Sequence, residues 1–150
     1  MKRIHMISII FSLITTFTFF GCDKEDTPIP EPTKDNQIKI SIGSHTFTAT
    51  LYDNAAATAF KNLLPMTINM TEMNGNEKYY DLPNALPTNS SNPGKIQNGD
   101  LMLYGSRTLV LFYKSFNTSY RYTKLGRVND AFGLQNALGS GNVTVTFEKL

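Results

Sequence analysis

The 150 residues include one cysteine, two histidines and no tryptophan. A lone thiol, Cys22, excludes a disulfide framework within the chain. One thiol with His5 and His45 is too few for a zinc site of the usual nitrogen and sulfur type, and neither a metal nor a cofactor is expected. A Ser-His-Asp triad would have to run through His45, and no Gly-x-Ser-x-Gly elbow accompanies it. Net charge is nearly absent as well. There are 14 Lys and Arg against 12 Asp and Glu, and two of the basic residues, Lys2 and Arg3, fall at the very start. Beyond residue 21 the two signs therefore balance, and the sequence pI near 8.6 does not describe a basic surface. Nucleic acid, which requires a concentrated basic patch, is not an expected partner.

What is present begins with a basic start, Lys2-Arg3, and an apolar run from Met6 to Phe20 that is too short to span a bilayer comfortably. The run ends in Phe19-Phe20-Gly21-Cys22, which resembles the lipobox of bacterial lipoproteins, with Phe19 where leucine is usual. The resemblance implies that Met1–Gly21 is a signal peptide and that Cys22 carries the acyl chains (palmitate among them) that attach the protein to a membrane. The competing reading is an ordinary secretory signal with an incidental cysteine. Asp23-Lys24-Glu25-Asp26 resembles the export signal of surface-displayed Gram-negative lipoproteins; otherwise it is a solvated spacer. The expected location is the cell envelope, as an outer-membrane lipoprotein that is surface-exposed if this signal operates. Pro28, Pro30 and Pro32 favour an extended tether over residues 22–36, leaving 37–150 as one domain.

Within that domain the hydrophobic period is mostly two. Ile38, Ile40 and Ile42 share a face, and Phe47, Ala49 and Leu51 share another beyond Gly43-Ser44, which predicts a hairpin. Asp53-Asn54 can cap a helix over Ala55–Leu64, which Pro65 stops. Thr67–Met73 and Lys78–Asp81 flank Asn74-Gly75, a strong hairpin signal. Leu82–Asn98 is rich in Pro, Asn and Ser and predicts a long irregular stretch, either a functional loop or a surface excursion. Leu101–Tyr104 and Leu109–Tyr113 form another predicted pair, and Leu109–Phe112 is apolar on both faces, so it should be the deepest strand. Ser119–Val128 predicts a strand. Asp130 to Gly139 predicts a short helix carrying Phe132, Leu134 and Leu138. Val143, Val145 and Phe147 alternate in the last strand. About eight short strands and two helices point to a mainly β fold, a closed barrel.

The ordered set Phe47–Leu64, Gly99-Asp100-Leu101, the run into Phe112-Tyr113, and Leu125-Gly126-Arg127-Val128 before a short helix resembles the cyclophilins. With Asn74-Gly75-Asn76-Glu77 and Tyr79-Tyr80, it looks most like the compact bacterial cyclophilin-like proteins, over roughly Ile38–Leu150. The resemblance implies an eight-stranded barrel capped by two helices. It does not carry the isomerase set with it. Cyclophilins place an arginine after the first helix to hydrogen-bond the prolyl nitrogen, and Thr67–Glu72 holds none; no glutamine precedes Phe112. Arg107, Arg121 and Arg127 are the arginines left to replace it. Candidate ligand-binding residues are Glu77, Tyr79, Tyr80, Phe112, Tyr113, Arg121 and Tyr122, either as a recognition surface for a peptide or small molecule or as ordinary strand packing. Glu72 and Glu77 are a further carboxylate pair of unknown separation. The expected function is a tethered binding module, with a weak or divergent prolyl isomerase acting on exported proteins as the alternative.

Overall fold

The structure is a computed structural model and describes residues 34–150. The expected signal peptide, Cys22 and the proline-rich stretch up to Thr33 lie outside the described residues. Lys34–Asn36, assigned to the tether by sequence, form a 3-10 turn. The Lys61 ammonium bonds the Asp35 carbonyl there and stands 3.1 Å from its carboxylate.

Strands β1 (Gln37–Ile42) and β2 (His45–Leu51) pair as a hairpin across Gly43-Ser44, with every second residue buried. Helix α1 (Ala55–Asn62) starts where the Asn54 side chain accepts a 2.9 Å hydrogen bond from the Ala57 N–H. That satisfies a donor left free by the first helical turn. The helix ends two residues earlier than expected, with Leu63 as its cap. Strands β3 (Met66–Met73) and β4 (Glu77–Asp81) flank Asn74-Gly75, both at positive φ, the backbone these two residues tolerate best.

The long irregular stretch contains one short strand, β5 (Lys95–Ile96). It is followed by the hairpin β6 (Asp100–Tyr104) and β7 (Thr108–Phe112), and by a second short strand, β8 (Phe116–Asn117), which pairs with β5. The chain ends with β9 (Tyr122–Val128), α2 (Leu134–Leu138) and β10 (Val143–Lys149). Two details differ from the sequence expectation. Ser119–Arg121 lie outside β9, in the irregular connection from β8. Phe132 stays out of the core at 91% exposed, because Gly133 adopts φ +79 and breaks the path before α2 begins. Asp130 caps only a local turn, accepting from the Phe132 N–H at 2.9 Å.

Eight strands close in the order β1-β10-β3-β4-β7-β6-β9-β2, every pairing antiparallel. Inward-facing residues of all eight strands share one core with Ala56, Ala57 and Phe60 of α1 and Leu134 and Leu138 of α2. Phe60 meets Phe147 edge-to-face at 5.7 Å. Because the strands alternate in direction, α1 closes the end where β1 begins and α2 closes the opposite end. Gly126 lets β9 approach β2: a Cβ there would stand 2.5 Å from the Thr50 carbonyl oxygen.

A second cluster lies outside the barrel. Met102, Val110, Phe112 and Tyr122 point outward from β6, β7 and β9, and Ile96 of β5 packs onto them with Phe116 of β8 at its margin. This explains why β7 is apolar on both faces. Its inner face fills the barrel and its outer face is roofed by the β5–β8 pair.

Candidate functional site

The outer face of β4, β7, β6 and β9 carries a row of aromatic rings. Residues two apart on a strand share a face, so Glu77, Tyr79 and Asp81 of β4 stand together. They pair with Phe112, Val110 and Thr108 of β7, and Thr108 in turn with Tyr104 of β6, which pairs with Tyr122 of β9. The rings contact one another in sequence: Phe116 to Phe112 at 5.7 Å, Phe112 to Tyr122 at 5.5 Å, Tyr122 to Tyr104 at 5.6 Å and Tyr104 to Tyr120 at 6.1 Å. Between this row and the β3–β4 hairpin lies a cavity of about 410 Å³. Aromatic walls come from Tyr79, Tyr104, Phe116, Tyr120 and Tyr122, and the hairpin end is formed by Met73, Asn74 and Asn76.

The charged groups of this groove are all acidic. Its lining includes two carboxylates, Glu77 and Asp81, and neither lysine nor arginine. The Asp81 carboxylate accepts from the Thr108 hydroxyl at 2.6 Å. Glu77 takes part in no ion pair and accepts no hydrogen bond among the described residues. Burial, and then the nearby Glu72 charge, push its carboxyl above the usual range. Burial first and Glu77 second push the Tyr122 phenol up to about 12, so that ring stays neutral. The Asn76 side-chain oxygen is buried without a partner.

A different polar cluster closes the barrel end beneath α2. Lys78 is fully buried, and its ammonium donates to Glu72 and to the carbonyls of Gly139 at 2.9 Å and Gly141 at 2.6 Å. Three donors thus meet three acceptors. Glu72 also accepts from the Tyr113 hydroxyl at 2.8 Å and the Gly75 N–H at 2.8 Å. Burial alone would raise the Glu72 carboxyl; the bonds from Lys78, Tyr113 and Gly75, with the Lys78 charge, outweigh it and hold it below the usual range. Burial, then the bond to Glu72, push the Tyr113 phenol up to about 12. Glu72 and Glu77, neighbours across the hairpin, therefore face opposite ways, one into this cluster and one into the groove.

Residues 40–148 match the model of the Cyclophilin-like family. The chain belongs to the cyclophilin-like family. A solved structure of similar fold is the solution structure of the hypothetical protein AF2241 from Archaeoglobus fulgidus, with a TM-score of 0.54 and 16% identity, covering 81% of this chain and all of that one. At that identity the likeness speaks to the fold alone. No curated protein matches the chain.

On this cyclophilin-like barrel the residues singled out from sequence do not form one site. Glu77, Tyr79 and Tyr122 line the groove, and Phe112 lies beneath it, fully buried against Phe116 and Tyr122. Tyr80 faces the other way and packs on the barrel core. Tyr113 belongs to the polar cluster under α2. Arg121 donates to the Ser90 carbonyl at 2.6 Å and does not line the groove. Nor do the other two arginines: Arg107 donates to the Leu82 carbonyl at 2.9 Å, and Arg127 bonds the Asp100 carboxylate at 2.6 Å. That carboxylate holds the guanidinium above its ordinary pKa. Sequence reasoning missed Asn76, Asp81, Tyr104 and Phe116. The two-residue spacing of Glu77, Tyr79 and Asp81 was a readable signal; the register that brings Tyr104 beside Tyr122 was not.

Proposed function

We propose that the domain is a binding module, tethered at the cell envelope through Cys22, whose aromatic groove takes a peptide or small ligand. The observation that carries this reading is the continuous row from Phe116 to Tyr120 beside a cavity of about 410 Å³, a size suited to a small ligand or a few residues of peptide. Neutral rings with polar tips offer large contact area at small entropic cost. Cyclophilin isomerases aim an arginine at the prolyl nitrogen, and the lining of this groove includes no arginine. The tether assignment rests on the sequence pattern around Cys22.

Residues 34–150 contain every strand of the closed barrel, so a soluble chain starting at Lys34 is suitable for testing. Short peptides are titrated into this isotope-labelled chain, and amide shifts are followed by NMR. Shifts grouped on Glu77, Tyr79, Tyr104 and Tyr122 are expected. Shifts elsewhere, or none with any peptide, reject the groove as a binding site. Exchange spectroscopy on an Ala-Pro peptide reads the isomerase alternative in the same sample.

A further inference from the structure

Resting on the reading of the groove as a ligand site, we infer that its occupant presents a basic side chain, a lysine ammonium or an arginine guanidinium carried by an extended peptide, seated between Glu77 and the tyrosine walls. The groove has the two elements that recognise such a group. Ring faces attract a cation through their quadrupoles, and a partly desolvated carboxylate accepts a charge-assisted hydrogen bond. Tyr79 and Tyr122 line the groove with Glu77, and Asp81 stands beyond Tyr79 on the same strand face.

The charges around Glu77 support this from every side. Tyr79 and Asp81 share its strand face, Phe112 lies opposite on β7, and Tyr122 lies on β9. On the inner side stand Glu72 and Tyr113. None of these is basic. Lys78, the next residue, turns inward and spends its donors on Glu72, Gly139 and Gly141. A half-buried carboxylate beside a second one is an arrangement that an incoming cation relieves. Burial that pushes the Glu77 carboxyl up in the free protein is offset once a positive group sits beside it. A proline ring has no donor for the Glu77 carboxylate, and a phosphate is repelled by both carboxylates.

The test uses four probes on the soluble chain: blocked Gly-Lys-Gly, its norleucine counterpart, a blocked Gly-Pro-Gly, and butylamine. The lysine peptide is expected to shift the groove amides and to bind about tenfold or more tighter than the norleucine peptide, with that advantage lost in Glu77→Gln. It is also expected to lower the Glu77 carboxyl titration, followed by its side-chain carbon resonance. Equal binding of the lysine and norleucine peptides overturns the inference and leaves the binding module standing. Groove binding by the proline peptide alone does the same. Butylamine binding as tightly as the lysine peptide overturns the peptide as the source of the cation. Absence of groove shifts from all four overturns the inference and, with the wider peptide set, the reading on which it rests.

Discussion

Lys78 shows how much one residue can decide. It sits on β4 where an apolar side chain would be expected, facing the core with no exposure. A lysine there is tolerable only if every donor is matched, and the matching acceptors come from β3 and from the loop between α2 and β10. The ammonium thereby holds that loop against the barrel end. Replacing it with methionine keeps the bulk but leaves the Glu72 carboxylate without its cation and the two carbonyls without this donor. Breaking a buried pair costs about 3–5 kcal/mol, and the low end fits here because Glu72 keeps 20% of its side chain in solvent. The sign with pH follows from Glu72, whose folded pKa is lowered. Its stabilising contribution is fully present above the ordinary value of 4.5 and is lost as pH falls through the lowered one. Urea titrations of Lys78→Met should therefore show a deficit of about 3 kcal/mol at pH 7 that narrows as pH falls from 4.5, where Glu72 of the unfolded chain takes a proton, through the lowered value of the folded protein. A deficit that does not change with pH would mean that packing, and not charge pairing, explains Lys78.

At the scale of elements, the β5–β8 pair is the part that depends most on its neighbours. Two strands of two residues have too few backbone bonds to persist alone. They are held by Ile96, fully buried on Met102, Val110 and Phe112. Ile96→Ala removes that anchor while leaving the barrel core untouched. Hydrogen exchange should quicken at Ile96, Phe116 and their flanking amides, while β1, β2 and β10 keep their protection. Uniform loss across all strands would show that the roof is integral to the barrel. This pair is also what the sequence hid. The hairpins, the Asn54 cap and the final strand were legible because period two, turn residues and capping groups are local signals. Lys95-Ile96 and Phe116-Asn117 have no period, and they meet only through folding. The site was legible in kind and not in arrangement. Adjacent strand residues point to opposite faces, so Tyr79 and Tyr80, or Phe112 and Tyr113, could never share one pocket. Which of each pair faced outward depended on the barrel's closure, and Tyr104 joined the groove through a register with Tyr122 that no local pattern encodes.

On the scale of the whole molecule, the groove and the chain's point of attachment lie on opposite sides of the ring. In the closed order, β1 stands four places from β7, and the groove spans β4, β7, β6 and β9. The tether predicted from sequence joins the fold at Lys34–Asn36, immediately before β1. Within the barrel, the aromatic face is therefore remote from the strand that the proposed tether would enter. The consequence is that anchoring and recognition should be separable. Cys22→Ser is expected to abolish fatty-acid labelling and release the chain from the membrane fraction, while affinity for a groove ligand stays within about twofold of the parent, a difference of less than 0.5 kcal/mol. Continued labelling of the variant would remove Cys22 as the anchor. Lost affinity in the released chain would place part of the binding surface in the membrane or the tether, because every residue lining the groove remains present.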